Sequence, residues 1–281
     1  MFSTEHLIWL GISAGVIAAF LLLFFLTRWK TDTCIAVALV VLWLCEAVMI
    51  SYRVSFHQNA DDPWKGFFLD AEMLPLHLCT VQLVFLLIAK LSKKVSPVRR
   101  ALYPVIAIGG TAGALAAMLV PVEGVAFVAE TYAQTAPSYR YFIYHSVLFA
   151  ISVRVAADKD MEWSGVSYLH TLVFFAMMLF FSIFVNAILH TNFFYTAYPP
   201  MENLPFFSVV EGDIGSWYLY LLKLALVALI VITLFYIPFW IARAVQRRKE
   251  RPVRRIRVEL PEEDEAAPFT ISSILGSGEE E

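Results

Sequence analysis

Residues 71–90 read AEMLPLHLCTVQLVFLLIAK, and the part from Met73 to Ala89 carries no charged side chain. A helix that rises ~1.5 Å per residue needs roughly 20 residues to cross the ~30 Å hydrocarbon core of a bilayer. Only 16% of the 281 residues are charged and 59% are hydrophobic, whereas a soluble domain is about 25% charged. The block is therefore predicted to be a transmembrane helix of a membrane protein.

Further apolar blocks of similar length lie on both sides of this block, and together they predict an all-α bundle of seven transmembrane helices over residues 1–245. The segment 246–281 is predicted to be a disordered cytoplasmic tail, because it is highly charged and nearly free of aromatic residues. The other predicted helices are 7–27, 33–52, 101–120, 139–156, 166–190 and 216–242.

The distribution of Lys and Arg predicts the orientation of the bundle. Basic residues concentrate in alternate connections, at 28–30, 90–100 and 154–159, and again after position 243. Because basic residues near helix ends are retained on the cytoplasmic side, the C-terminus is predicted to be cytoplasmic and the N-terminus external.

Polar side chains inside the predicted helices are the candidate functional residues. Such groups are costly in hydrocarbon, so they usually face the interior of a bundle. On helix three, Cys79 and Gln82 share one face because they are three residues apart, and on helix five Tyr141 and His145 share a face at a spacing of four. Cys79 and His145 lie at comparable depth when counted from the cytoplasmic flanks. We therefore expect these groups to meet.

This pattern suggests a cysteine nucleophile. Cys79 is the candidate nucleophile and His145 its predicted general base. His77 is a second choice, because two residues of a regular helix point to different faces, although Pro75 could loosen the helix at this point. The residues predicted to bind substrate or to donate hydrogen bonds to an oxyanion are Gln82, Tyr141, Asn186, His190 and Asn192.

At Leu74-Pro75-Leu76-His77-Leu78-Cys79 the sequence resembles the bacterial YwaF-like integral membrane family, relatives of the acyltransferase called transmembrane protein 164. Tyr144-His145 and His190-Thr191-Asn192-Phe193-Phe194-Tyr195 follow in the expected order, over about residues 1–242. The family usually has Gly-Thr-Asn-Tyr where this chain has His190-Thr191-Asn192-Phe193. The resemblance implies a seven-helix protein of the bacterial cytoplasmic membrane that transfers acyl groups between phospholipids through a membrane cysteine, a position that corresponds here to Cys79.

Two other classes of function stay open from the residues alone. Glu46 and Lys223 either neutralise one another or line a proton path, which would fit a proton-coupled transporter. A sensor or scaffold would use the basic part of the tail to contact anionic lipid or a cytoplasmic partner. Membrane lipids are the predicted partners in every case. No motif indicates a cofactor, a metal or nucleic acid, and no feature specifies an oligomeric state.

Deletion of residues 246–281 separates the scaffold hypothesis from the other two. An enzyme or a carrier works within the helical bundle, so its activity in proteoliposomes is expected to survive the truncation. A scaffold would lose its function, because the tail would be its contact surface. Activity of the full-length and truncated chains, each shown to be folded, is the measurement.

Overall fold

The computed structural model describes residues 4–57, 71–93, 96–120, 136–200 and 205–258. These residues form α-helices without a β-strand, which confirms the predicted all-α fold of seven helices. Short 3₁₀ helices lie at Ala71–Met73, Phe193–Tyr195 and Pro205–Phe207. The α-helices are α1 (Thr4–Leu26), α2 (Thr31–His57), α3 (Leu78–Leu91), α4 (Pro97–Leu119), α5 (Ala136–Ala156), α6 (Gly165–Leu189) and α7 (Ile214–Val258).

Five of the described helices are long and apolar enough to cross a membrane, namely α1, α2, α4, α6 and α7. The sequence predicted that all seven would span. α3 is a shorter apolar helix of 14 residues, and the 21-residue α5 is not among the spans that qualify by length and composition. α5 packs against α1, α2 and α4, so it can carry polar side chains that need not face lipid.

The start of α3 differs from the prediction. Residues 71–73 form a 3₁₀ turn, and the α-helix begins at Leu78 instead of at residue 71. Pro75 explains the difference, because proline lacks an amide N–H and disfavours helical backbone at the residue before it. His77 is consequently the N-cap residue, with extended backbone at φ −68° and ψ 151°. The regular-helix argument that turned His77 away from Cys79 therefore does not apply.

α7 continues beyond its predicted end at residue 242, so the basic segment that follows is helical as far as Val258. The described residues up to Ile237 form one compact unit, and those from Pro238 to Val258 belong to another. The boundary predicted at residue 245 stays a prediction, and the acidic residues after 258 lie outside the described part of the chain.

α4 packs closely against its neighbours through glycines. A Cβ atom on Gly110 would collide with the hydroxyl of Ser152 on α5. On the adjoining face, a Cβ on Gly113 would lie 3.6 Å from the sulfur of Cys79 on α3. Small residues let membrane helices approach closely where no hydrophobic effect drives them together. The glycines thus set the distance between α4 and the helices that carry the candidate site.

Charged side chains join the helix ends on the side predicted to be cytoplasmic. Arg99 at the start of α4 is buried and lies 2.6 Å from Asp32 at the start of α2. Arg154 near the end of α5 lies 3.8 Å from Asp158, which accepts a hydrogen bond from Thr31. These contacts tie α2, α4 and α5 together at the opposite end from Cys79.

Gly110→Ala tests the close packing of α4, and Gly11→Ala is its control. The added methyl at Gly110 meets Ser152, so we expect a loss of about 1–3 kcal/mol in stability. A Cβ at Gly11 meets nothing within 4 Å, so that substitution is expected to be neutral or slightly stabilising. Thermal unfolding in detergent measures both. If the packing account is right, adding Ser152→Ala to Gly110→Ala restores part of the loss.

Candidate functional site

Cys79 lies in the first turn of α3, partly buried and facing Gly113 of α4. The first backbone hydrogen bond of the helix runs from Val81 N–H to the carbonyl oxygen of His77, at 2.9 Å. The N–H groups of Cys79 and Thr80 therefore precede the helical hydrogen-bond ladder. The N-terminus of a helix favours negative charge. A thiolate or an oxyanion at Cys79 would gain from this position.

Tyr144 connects α5 to this turn of α3. Its hydroxyl donates a hydrogen bond to the carbonyl oxygen of Cys79, at 3.0 Å. One turn earlier on α5, the guanidinium of Arg140 lies over the Tyr144 ring, 4.8 Å from its centroid. Arg140 also pairs with Glu46 of α2 and interacts electrostatically with Cys79. α2, α3 and α5 are thus joined through Glu46, Arg140, Tyr144 and Cys79.

The ion pair between Glu46 and Arg140 overturns one of the two alternatives left open for Glu46 and Lys223, that they neutralise one another. The ammonium of Lys223 lies over the ring of Phe206 instead, 5.3 Å from its centroid. The sequence could not identify the partner of Glu46, because the contact joins helices that are far apart along the chain.

His145, the predicted base, is 4% exposed, and its Nδ1 lies 2.7 Å from the carbonyl oxygen of Tyr141. Within the described residues no hydrogen bond joins His145 to Cys79, and it is Tyr144 that reaches α3 from α5. The Tyr141 hydroxyl donates to the carbonyl oxygen of Ala117, at 2.7 Å. Tyr141 and His145 do share a face, and Tyr141 holds that part of α5 to the end of α4.

His77 and Tyr195 lie near each other at the start of α3. The ring of His77 makes an edge contact with Phe193 at 4.9 Å between centroids and lies 6.4 Å from the ring of Tyr195. The phenol of Tyr195 interacts electrostatically with Cys79, and burial raises the pKa of Tyr195 to about 12. Tyr195 therefore keeps its proton at neutral pH and stays a hydrogen-bond donor. Tyr195 thus lies near the ring of His77 and interacts with the thiol of Cys79.

The loop that carries Tyr195 has a strained backbone. His190, Phe194 and Tyr195 have φ values of 53°, 55° and 55°, a region that bulky residues seldom adopt. Each such residue costs on the order of 1–3 kcal/mol and persists only where surrounding contacts fix it. The loop must therefore be held by strong contacts.

Asn186 of α6 supplies the main contacts. Its side-chain Nδ2 donates to the carbonyl oxygen of Phe193 and to the hydroxyl of Thr196, each at 2.9 Å. Its Oδ1 accepts from the hydroxyl of Thr191 at 2.9 Å and from the Phe193 N–H at 2.8 Å. An amide side chain has two N–H donors and two acceptor lone pairs, so Asn186 is fully engaged in holding the loop.

The side chain of Asn192 also holds the loop in place. It donates to a backbone carbonyl and accepts from backbone N–H groups at residues 197–198, at 2.9–3.3 Å. Trp217 and Tyr220 of α7 donate to carbonyl groups of the same loop. Asn186 and Asn192 were predicted to stabilise an oxyanion, but their hydrogen-bonding groups already position the loop.

A model described as the TMEM164 family matches residues 1–236, which include α3, Tyr144 and the loop after α6. The chain belongs to the TMEM164 family. This confirms the resemblance at the level of a TMEM164-related membrane protein family. Searches of curated proteins and of solved structures gave no match.

Among the predicted site residues of this TMEM164 family member, Gln82 has a side chain that makes no hydrogen bond in the described part of the chain. It is fully buried, and neither Nε2 nor Oε1 has a hydrogen-bond partner. It lies one turn after Cys79 on the same face of α3 and packs against Gly109. A buried amide without partners is costly, so Gln82 is available to a group that reaches it beside Cys79.

Arg140 and Tyr195 belong to the site but were not among the predicted site residues. The spacing of four between Arg140 and Tyr144 places the cation over the ring on one helix face, and this signal was visible in the sequence. Tyr195 gave no comparable signal, because its position depends on the left-handed residues of the loop.

His190 is exposed and is the left-handed C-cap of α6, a conformation that glycine adopts without strain. His190→Gly is therefore expected to raise stability by about 0.5–1 kcal/mol, whereas the β-branched His190→Val is expected to lower it. Thermal unfolding in detergent measures both. A loss of stability in the glycine variant would show that the His190 side chain itself contributes to the fold.

Proposed function

We propose that this TMEM164 family member is a phospholipid acyltransferase or lipid-ester hydrolase that works through a thioester on Cys79. The observation that carries the proposal is the position of Cys79 in the first turn of α3, beside His77 and Tyr195 and one turn from the unpartnered amide of Gln82. A nucleophile, a base and hydrogen-bond donors are the parts that acyl transfer requires.

In the first half-reaction, the sulfur of Cys79 attacks the carbonyl carbon of an acyl ester, and a histidine takes the thiol proton. His77 is the proposed base, because its ring lies 6.4 Å from that of Tyr195, which interacts electrostatically with Cys79. Nδ1 of His145 is bound to a backbone carbonyl, so only its Nε2 could take the proton instead. The attack gives a tetrahedral intermediate that carries a negative charge on the former carbonyl oxygen.

The oxyanion is proposed to accept hydrogen bonds from Gln82 Nε2 and from the N–H groups of Cys79 and Thr80. Donors that point at developing charge in a water-poor site are often worth a few kcal/mol. As the intermediate collapses, the ester C–O bond breaks, and His77 returns its proton to the leaving alkoxide of the lysolipid. The acyl chain remains on Cys79 as a thioester.

The second half-reaction reverses these steps with a new acceptor. His77 takes a proton from the hydroxyl of a lysolipid or from water, the oxygen attacks the thioester carbonyl, and the C–S bond breaks. The proton on His77 then returns to the Cys79 sulfur, so the enzyme ends in its starting state. Tyr195, which stays protonated, is proposed to donate a hydrogen bond to the reacting oxygen atoms.

The site is proposed to face the outer half of the bacterial cytoplasmic membrane, with the N-terminus outside, in keeping with the distribution of Lys and Arg. The lipid tails would lie between apolar helices. A transporter that uses Glu46 and Lys223 finds no support in their contacts, because Glu46 pairs with Arg140.

Intact-mass spectrometry of the purified protein, incubated with mixed bacterial phospholipids, tests the mechanism. The native chain is expected to gain a fatty-acyl mass that hydroxylamine removes. Cys79→Ser and His77→Ala are expected to lose this adduct, while His145→Ala is expected to keep it, because no hydrogen bond joins His145 to Cys79 within the described residues. Cys34→Ser and Cys45→Ser are the matched controls.

An adduct that persists in Cys79→Ser, or that maps to Cys45, would contradict the proposed nucleophile. If His145→Ala removes the adduct while His77→Ala keeps it, the base is His145, as the sequence predicted. If the native chain forms no adduct and the lipids stay unchanged, catalysis through a thioester is refuted.

A further inference from the structure

Arg140 brings a permanent positive charge to the site. It interacts electrostatically with Cys79, His77 and His145. Its guanidinium lies over the ring of Tyr144, whose hydroxyl donates to the carbonyl oxygen of Cys79. Its side chain is 15% exposed, and that of its partner Glu46 is 13% exposed. The charge is therefore largely, but not fully, enclosed by protein.

The guanidinium of Arg140 is oriented by two contacts and has unused capacity. Glu46 accepts from one terminal nitrogen, and the Tyr144 ring lies beneath the guanidinium plane. The Nε group is buried and has no hydrogen-bond acceptor. Arginine carries five N–H donors in a planar fork that matches the oxygens of a phosphate group. These two contacts orient the guanidinium of Arg140 and leave some of its N–H groups without an acceptor.

The energetics argue against a purely stabilising role for the ion pair. An enclosed ion pair stabilises a fold no better than apolar residues of similar size, because both charges lose their hydration. Interactions between charges are, however, stronger in a low-dielectric site than in water. An arginine that is enclosed at such a cost and interacts with a candidate nucleophile points to an anionic ligand.

We infer that Arg140 binds the phosphate of the lipid substrate and that Glu46 holds its guanidinium in position for that contact. This inference rests on the proposed function and adds the residue that makes the site favour phospholipids over neutral glycerides. A diacylglycerol offers the same ester bonds but no phosphate, so it would gain nothing from Arg140. The preference for the headgroup would then come from one side chain, separately from the chemistry at Cys79.

Lipid binding tests the inference without relying on catalysis. The full-length Cys79→Ser chain in detergent is titrated with lysophosphatidylcholine and with a monoacylglycerol of the same acyl chain. We expect tighter binding of the lysophospholipid, and a loss of that preference by about tenfold or more when Arg140→Met and Glu46→Gln are combined. The double substitution removes both charges, so it leaves no unpaired charge in the protein.

Two further variants separate headgroup binding from structural effects. Glu46→Gln alone keeps the cation and supplies an amide oxygen that can still accept from the guanidinium, so it is expected to keep the preference for the lysophospholipid. Arg154→Met removes another enclosed arginine, which lies near the end of α5 beside Asp158, and it is expected to leave both affinities unchanged.

Equal binding of the two lipids by the Cys79→Ser chain, or an equal loss of both affinities in the double variant, would overturn the inference. The acyl adduct gives an independent result on the native chain. If the adduct forms equally fast from phosphatidylcholine and from diacylglycerol, the proposed function stands and the role of Arg140 fails. If the preference in binding is present but no adduct forms from any lipid, the role of Arg140 stands and the proposed thioester chemistry fails.

Discussion

The missing amide hydrogen of Pro75 determines where α3 begins, and the site depends on that starting point. Because the chain cannot form a helical ladder through Pro75, the helix starts at Leu78, and Cys79 lies in its first turn. In the interior of a regular helix, the Cys79 N–H would be bonded to a carbonyl four residues earlier. At the helix start it precedes the ladder, and His77 takes an extended conformation that brings its ring to Phe193 and Tyr195.

The site also depends on the loop after α6, which carries Tyr195. The cost of its strained backbone explains why the side-chain amides of Asn186 and Asn192 are buried against it. Three residues with positive φ cost on the order of 1–3 kcal/mol each. A hydrogen bond contributes roughly 1 kcal/mol net, so the four bonds of Asn186 offset much of that cost. Trp217 and Tyr220 add bonds from α7. The same contacts that stabilise the loop hold Tyr195 near Cys79.

The sequence predicted the helices well, because block length and charge follow directly from the thickness of a bilayer. It predicted Cys79 and Gln82 on one face of α3 for the same simple geometric reason. It missed the start of α3, although Pro75 was visible, because a proline can either kink a helix or delay its start. The sequence did not predict that Asn186 and Asn192 hold the loop after α6, because these contacts depend on a backbone that turns back through left-handed residues. The partner of Glu46 depends on the packing of α2 against α5, which spacing along the chain does not encode.

α5 shows how the bundle and the site constrain each other. It is the long helix that composition alone does not identify as a membrane span, and it packs against α1, α2 and α4. Because protein surrounds it, α5 can carry Arg140, Tyr144 and His145, groups that would be costly on a lipid-facing helix. Arg140 keeps its positive charge, but pairing with Glu46 makes the pair neutral overall, which lowers the cost of enclosing it. Tyr144 then connects that pair to the backbone of Cys79, so one aromatic side chain links the charged pair to the first turn of α3.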